Sequence, residues 1–154
     1  MAKVIRARFN WSIQDKLDLM RANLATGGKV QAAIDNACIA WCQKYTPFKT
    51  GTLSRSPYTA TPPGSGQIIY NTPYARYLYY GVVYGPNIPV FEDDTGVPTR
   101  YFSPPGKKKS PKVPEKKLKF DTSTNPMAGP FWFERMKADH SNDILKEAKQ
   151  VAGI

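Results

Sequence analysis

The segment KVQAAIDNACIAWCQKY, which runs from Lys29 to Tyr45, decides the fold of this 154-residue chain. Its apolar residues recur at every third or fourth position, as they do along one face of an α-helix. These residues are Val30, Ile34, Ala37, Trp41 and Tyr45. A helix over this segment is about 25 Å long, whereas a domain of this size has a radius of gyration of about 15 Å. We therefore expect the helix to cross most of the domain and to be its central packing element.

A second long amphipathic pattern lies near the end of the chain, from Phe131 to about Val151. One stripe of this segment is apolar apart from a histidine, and charged residues cover the opposite face. The stripe consists of Trp132, Met136, His140, Ile144, Ala148 and Val151. Pro130 precedes it, and proline is favourable at a helix start because its missing N–H would be unpaired there. The pattern predicts a second main helix, with His140 as a packed or interfacial imidazole rather than a catalytic one.

Shorter patterns predict strands and a third helix. Residues from Val4 to Trp11 alternate between apolar and polar, which indicates a half-buried strand, and Gln67–Asn71 is a second β-prone run. Ser12 is placed as the N-cap of a short helix that continues to about Asn23. Its apolar stripe is typical of a helix that faces a core, and it consists of Ile13, Leu17, Met20 and Leu24.

Three further segments carry local signals. Thr50-Gly51 predicts a tight turn into a strand. Residues 74–78 contain tyrosines at helical spacing and predict a helical turn. Farther along, Thr99–Ser103 and Lys117–Thr122 are predicted to form the two arms of a hairpin, with a disordered loop as the alternative.

Together these elements predict an α+β fold, in which two main helices pack on a small antiparallel sheet and a long hairpin or loop is inserted. The length is that of one domain, so residues 1–154 are predicted to form a single domain. Within it, residues 86–124 form the extended insertion, and residues 104–119 form its basic arm, which is rich in proline and lysine.

The positive charge of the chain is concentrated in this basic arm. The sequence has 22 lysines and arginines against 12 acidic residues, which gives a net charge of +10. Seven lysines and one glutamate between Gly106 and Phe120 account for +6 of it, and the prolines of this segment exclude a helix. Two interpretations stay open: a solvated loop, or an arm that contacts nucleic-acid phosphates or an acidic protein face. The lysines are Lys107, Lys108, Lys109, Lys112, Lys116, Lys117 and Lys119.

Several classes of protein lack the residues that they need. Cys38 and Cys42 are too few for a disulfide framework or a zinc cluster, and His140 is the one histidine of the chain, so serine-type triads and histidine metal sites are disfavoured. Glu92-Asp93-Asp94 is interpreted as a solvated turn, and Gly64-Ser65-Gly66 lacks the lysine and serine or threonine of a phosphate loop. No apolar run approaches about 20 residues. We therefore expect no enzyme activity, no cofactor, no metal and no membrane partner.

Tyrosines are concentrated between Tyr74 and Tyr84, where five of them occur in eleven residues. Their rings can belong to the core or to a subunit interface. The interface is favoured, because each hydroxyl needs water or a partner and tyrosine is enriched at interfaces. The candidate subunit contacts are Tyr74, Tyr79, Tyr80 and Tyr84.

Three segments resemble a known family. Residues 46–56, TPFKTGTLSRS, resemble the Pro-x-x-Thr-Gly-x-Leu-x-x-Ser segment of phage tail-component proteins. Residues 71–81, NTPYARYLYYG, resemble their Asn-x-x-Tyr-Ala-x-Tyr-x-x-x-Gly segment, although the chain has Tyr79-Tyr80 where many relatives carry an acidic residue. Residues 125–137, NPMAGPFWFERMK, are similar to the closing segment of the phage minor capsid branch. We call these the first, second and third motif segments.

The resemblance implies structural roles for the motif residues. Gly51 and Gly81 are expected to allow turns that a Cβ would hinder. Leu53 and Tyr77 are expected to pack against tryptophans, namely Trp41 and Trp132. The full set of motif residues with an expected structural role is Thr50, Gly51, Leu53, Asn71, Tyr77, Gly81 and Trp132.

The resemblance also implies a function, because members of this family form rings where the head connector of a long-tailed phage meets the tail. We expect a non-enzymatic virion protein of the head–tail junction that is assembled in the host cytoplasm. Its expected partners are copies of itself in a homo-oligomeric ring, with sixfold symmetry favoured, and the adjacent connector, stopper or tail-terminator proteins. The basic arm would contact DNA non-specifically or an acidic neighbouring ring. The alternative is a nucleic-acid-binding module that uses the basic arm.

Overall fold

The computed structural model of the chain describes residues 2–82, 84–85, 88–92, 94–102, 110–111 and 117–154. These ranges contain five helices, which are α1 (Ile13–Ala25), α2 (Lys29–Cys42), α3 (Thr52–Ala60), α4 (Ala75–Tyr80) and α5 (Trp132–Ala152). They also contain six strands, which are β1 (Lys3–Arg6), β2 (Gln67–Tyr70), β3 (Tyr84–Gly85), β4 (Ile88–Val90), β5 (Arg100–Phe102) and β6 (Ser110–Pro111).

The core lies between α2 and α5, the two helices that the long periodic patterns predict. The predicted stripe of α2 is buried apart from Trp41, which is half-buried, although the helix ends at Cys42 and the chain then turns. In α5 the predicted stripe is buried through Ala148, with His140 half-buried. Val151 is exposed, whereas the next residue, Ala152, packs against the core.

A small antiparallel sheet packs on these helices. In it, Lys3 of β1 pairs with Tyr70 of β2, and Arg6 pairs with Gln67. The ring of Tyr70 is buried and meets Trp132 of α5 edge-on, with 5.2 Å between ring centroids. The predicted α+β fold, with helices packed on a small antiparallel sheet, is therefore confirmed. The first strand is shorter than predicted, since β1 ends at Arg6.

The rotation of α1 about its own axis is opposite to the predicted one. Ser12 caps the helix as predicted, because its Oγ accepts from the N–H of Asp15 at 3.1 Å. However, Leu19 is the side chain of α1 that is buried, and Asp15 forms an ion pair with Lys149 of α5, with 2.7 Å between Oδ1 and Nζ. The predicted core stripe is instead 40–79% exposed; it consists of Ile13, Leu17, Met20 and Leu24.

The turn at Thr50-Gly51 leads into helix α3 and not into a strand, so that prediction is wrong. Gly51 adopts the left-handed conformation with φ 83°, and α3 begins at the next residue. Pro57 lies inside α3 and has no N–H to donate to the carbonyl of Leu53. The hydroxyl of Ser56 donates to that carbonyl instead, at 2.8 Å. The Ser56 hydroxyl thus satisfies a buried carbonyl that Pro57 leaves without its helical partner.

The predicted hairpin between residues 99–103 and 117–122 is also wrong. The strand β5 pairs with β4 and so belongs to a different pair. Lys117 forms an isolated bridge with Val82, and β3 pairs with β6. Tertiary pairing thus joins each predicted arm to a segment that precedes it in the chain. Much of the predicted basic arm lies outside the described residues.

A buried carboxylate holds the loop between α3 and β2. Asp35 of α2 is fully buried. Its Oδ2 accepts from the N–H groups of Gly64 at 2.9 Å and Gly66 at 3.1 Å, and its Oδ1 accepts from Gln31 Nε2 at 3.0 Å. Because a buried charge is unfavourable unless it is hydrogen-bonded, these bonds fix the loop against α2.

Candidate functional site

The first and third motif segments are joined by side-chain hydrogen bonds. Asn125 donates through Nδ2 to the carbonyl oxygens of Gln43 and Thr46, both at 2.9 Å. Arg135 donates through Nη2 to the carbonyl oxygen of Tyr45 at 3.4 Å. The third segment therefore fixes the path of the chain where it leaves α2 and enters the first segment.

The third motif segment also packs on the second. The N–H of Phe131 donates to the carbonyl oxygen of Tyr79 at 2.8 Å. Gly81 ends α4 in the left-handed conformation with φ 68°, and a Cβ at this position would lie 2.8 Å from the Cβ of Pro130. Both the backbone conformation and the close approach thus require glycine, as the resemblance implies for Gly81.

Aromatic rings fill the space beneath the second and third motif segments. Trp132 is fully buried and meets Tyr79 edge-on, with 4.8 Å between ring centroids. Leu53 is buried in the same hydrophobic cluster, and Tyr77 is half-buried. Like Tyr79, Tyr70 meets Trp132 with its ring edge-on. The motif segments are therefore joined through the core as well as through hydrogen bonds.

A groove of about 500 Å³ opens between the first two motif segments and the chain that precedes the third. Its less exposed walls are mostly apolar, and its exposed residues are mostly polar or charged. The lining consists of Pro47, Phe48, Lys49, Thr50, Gly51, Thr52, Leu53, Tyr74, Leu78, Lys119, Phe120 and Asp121. An apolar concave wall with a polar rim can bind apolar side chains of a protein partner.

The rim of the groove carries charges of both signs. Lys49 and Lys119 are exposed cations, and Asp121 is an exposed anion. Hydrogen bonds from the hydroxyl and the N–H of Ser123 lower the pKa of Asp121 below its usual value. The two lysines favour a partner that presents a carboxylate next to its apolar residues.

The four tyrosines predicted as subunit contacts have different environments. Tyr74 lines the groove and is 41% exposed. Tyr79 is 5% exposed and packs on Trp132, so its assignment as a subunit contact is wrong and it belongs to the core. Tyr80 is half-buried, and a hydrogen bond from Lys3 Nζ, 2.9 Å from the hydroxyl, lowers the pKa of Tyr80. The side chain of Tyr84 lies outside the described residues.

Two of the seven predicted contact lysines can be located. Lys117 and Lys119 are exposed, and Lys119 lies on the rim of the groove. The other five lie outside the described residues; they are Lys107, Lys108, Lys109, Lys112 and Lys116. Thr50, on the groove, and Asn71, at the start of the second motif segment, are exposed.

The cysteines and the histidine have structural environments. Cys38 and Cys42 are free thiols in the core, and burial raises the pKa of Cys42 to about 12. The imidazole of His140 stacks on Trp41, with 4.0 Å between ring centroids, and its Nδ1 lies 2.8 Å from Oδ2 of Asp143. The prediction of a packed imidazole is thus confirmed. Within the described ranges, no group of three or more His, Cys, Asp or Glu side chains is placed to hold a metal ion.

Sequence reasoning missed several residues that build the groove. Phe48 and Leu78 occupy unspecified positions of the first two motif patterns, and Phe120 follows the lysine-rich segment. Asn125 and Arg135 were missed too. Asn125 bonds to a residue about 80 positions earlier in the chain, and Arg135 bonds to Tyr45, 90 positions earlier, as well as to Met127 and Pro130 of its own segment. The signal that the sequence offered for these groove residues was an aromatic or apolar side chain at a motif position that the pattern leaves unspecified. Where such a side chain lies in the fold depends on tertiary packing.

Comparisons of the chain with protein-family models, with curated proteins and with solved structures found no match. Along the described part of the chain, no helix has both the length and the apolar character that crossing a bilayer requires.

Proposed function

We propose that this chain is a structural subunit of a phage head–tail junction and acts by forming a ring with copies of itself. The observation that carries the proposal is the convergence of the three motif segments. They are separated in the sequence, and each resembles the same family. The third segment bonds to the first from Asn125 to Thr46, and to the second from Phe131 to Tyr79. Segments that share one structural role are expected to converge in this way.

The groove supports a role in subunit contact. A ring requires that two different surfaces of each subunit meet, and a concave apolar surface is suited to receive a projecting segment of a neighbour. Tyr74 stands on the rim with its ring half in solvent. Tyrosine suits this position because its ring is apolar and its hydroxyl can remain hydrated or find a partner.

The position of Lys119 links the groove to the basic arm. Lys119 lies on the rim, next to the end of the lysine-rich segment. In a ring that surrounds the DNA path, the arm would therefore start at a subunit boundary, from which it can contact DNA phosphates or an acidic neighbouring ring. A nucleic-acid-binding module that uses the same lysines is the second candidate, and the exposure of both Lys117 and Lys119 favours it.

The proposal is tested by native mass spectrometry and negative-stain electron microscopy of the purified protein, alone and mixed with purified phage heads or tails. We expect rings, or ring formation beside these partners. Tyr74→Glu should reduce ring formation at least tenfold, because it places a carboxylate where an apolar contact forms. Tyr58→Glu is the matched control, since Tyr58 is 56% exposed on α3 and does not line the groove.

Two outcomes would overturn the proposal. The first is a protein that stays monomeric under all these conditions and joins neither heads nor tails. The second is a ring that Tyr74→Glu and Tyr58→Glu weaken equally, since the groove would then have no special part in the contact.

A further inference from the structure

The hairpin of β4 and β5 carries apolar side chains that face solvent. Ile88 of β4 lies opposite Phe102 of β5, and these side chains are 48% and 45% exposed. In the turn between the strands, Phe91 is 53% exposed and Val97 is 64% exposed. A two-stranded hairpin is marginally stable unless it packs on another surface. The described part of the chain therefore leaves this hairpin without the cover that its apolar side chains need.

The turn of this hairpin is held in shape and is acidic. The N–H and the hydroxyl of Thr99 both donate to the carbonyl oxygen of Val90, at 3.0 and 3.2 Å. Arg100 forms an ion pair with Glu92, with 3.2 Å between Nε and Oε1. Residues 91–100 contain three carboxylates and one arginine, so this segment has a net charge of −2 in a chain of net charge +10. We call residues 91–100 the acidic turn.

We propose that the acidic turn of one copy docks in the groove of the next copy around the ring. This inference rests on the proposed function, because it names the segment that the groove receives. The groove offers an apolar wall for the ring of Phe91, and Lys49 and Lys119 are exposed cations on its rim for Asp94, which is exposed too. An aromatic side chain in a pocket with a polar surround is the usual energetic centre of a protein interface.

The occupant is a second copy because the acidic turn does not fill the groove of its own chain. Among the described residues that line the groove, none belongs to the hairpin. The rim has one net positive charge, from two lysines and Asp121, and the turn is negative, so the two surfaces are complementary. One contact thus covers two apolar surfaces that the single chain leaves exposed.

The two surfaces of this contact are different, as a ring requires. Each copy gives its turn to one neighbour and receives the turn of the other, and such a head-to-tail contact closes into a ring. The single contact is smaller than a permanent interface. Ring closure strengthens it, because every subunit is then held by two neighbours at once.

The test uses two full-length variants that each keep one half of the contact. Tyr74→Glu disables the groove and keeps the turn, whereas Phe91→Glu disables the apolar anchor of the turn and keeps the groove. Each variant alone should stay monomeric. An equimolar mixture should give a one-to-one dimer and nothing larger, because it contains one intact pair of turn and groove. Sedimentation velocity over a concentration series measures the association, and native mass spectrometry measures the stoichiometry.

The charges are tested in the same mixture. Asp94→Lys is added to the copy that supplies the turn, and Lys49→Glu with Lys119→Glu to the copy that supplies the groove. Each change alone should weaken the dimer by roughly three- to fivefold, as the loss of exposed ion pairs does. Together they should restore most of the affinity, because the signs are then complementary again. Overall repulsion between chains of net charge +10 predicts instead that replacing lysines strengthens the dimer.

Failure of this inference and failure of the proposed function give different results. If Phe91→Glu forms rings as well as Tyr58→Glu does, the ring stands and the turn has no part in its contact. If the mixture gives the one-to-one dimer but the unsubstituted protein closes no ring, the docking stands and the ring does not. A mixture that stays monomeric, or a combined charge reversal that binds no better than the single ones, overturns the docking. A groove filled by a different virion protein would give the monomeric mixture.

Discussion

Gly81 and Pro130 lie in direct contact, and this contact fixes the second motif segment against the third. A Cβ at position 81 would come within 2.8 Å of the Pro130 Cβ and within 3.2 Å of its Cγ. Gly81 also has φ 68°, a conformation that other residues rarely adopt. Next to this contact, the N–H of Phe131 bonds to the carbonyl of Tyr79. Any side chain at position 81 therefore has to separate the two segments.

We expect Gly81→Ala to destabilise the protein more than a glycine substitution at the same φ in open space. Gly27 is the matched control, because it also has φ 68° and a Cβ there would have no neighbour within 4 Å. Gly27→Ala should lower the free energy of unfolding by about 1–2 kcal/mol through the left-handed backbone alone. Gly81→Ala should lower it by about 1–3 kcal/mol more through overpacking. Equal losses in urea unfolding would contradict the role of the Pro130 contact.

We expect Asp35→Ala to lower the free energy of unfolding by about 2–4 kcal/mol, because it leaves the N–H groups of Gly64 and Gly66 without their acceptor. Asp18→Ala is the control with the same change of charge, and its exposed bond to Gln14 predicts a loss below about 0.5 kcal/mol. Thermal and urea unfolding measure both. Similar losses in the two variants would show that net charge, and not the buried acceptor, is responsible.

The sequence predicts α2 and α5 because their apolar stripes are long and each stripe is the face that packs in the core. In α1 the same reasoning fails, since a stripe shows which residues share a face but not which partner covers that face. The rotation of α1 depends on Asp15, Leu19 and Trp11. Their partners are distant in the sequence or are not marked by any sequence pattern. Only the N-cap, which depends on residues three apart, is predictable locally.

In the candidate site, too, some features are predictable from the local sequence and others depend on tertiary packing. The conformation of Gly51 and of Gly81 follows from short patterns that place glycine at a turn. The pairing of β5 with β4 and the bonds from Asn125 to Gln43 and Thr46 join segments whose sequences do not indicate a partner. For this reason the motif residues are identifiable in the sequence, whereas the groove that they form is not.

We expect the stability of the protein to fall between pH 10 and about pH 12, partly because of Tyr45. Burial and the hydrogen bond to Asp139 raise the pKa of Tyr45 from 10.0 to about 12. The unfolded chain therefore loses this proton first, so it binds fewer protons than the folded chain and stability decreases as pH rises. The contribution of Tyr45 is complete below pH 10 and is lost as pH rises through the pKa of the folded state.

Tyr45→Phe tests this titration. The variant loses the bond to Asp139, so it should be less stable at neutral pH by about 1–2 kcal/mol. Its stability should then fall less steeply than that of the unsubstituted protein above pH 10, and the two curves should converge. Tyr58→Phe, at an exposed position, should follow the unsubstituted protein throughout. If the melting temperatures of Tyr45→Phe and the unsubstituted protein differ by the same amount at every pH from neutral to 12, Tyr45 is not the group responsible.

If the basic arm contacts DNA, replacing Lys107, Lys108 and Lys109 by glutamine should weaken DNA binding and reduce its salt dependence. Each phosphate contact that is lost should lower the slope of log K against log salt by about 0.9. The control is a triple glutamine variant at exposed lysines elsewhere, which removes the same net charge; the positions are Lys16, Lys29 and Lys146. Fluorescence anisotropy with a short duplex over a salt series measures both.

An effect confined to the arm variant supports local contact with phosphates, and equal effects indicate net charge alone. If neither variant changes the affinity, the arm does not bind DNA, and a solvated loop and an arm that contacts an acidic protein face are the two remaining interpretations.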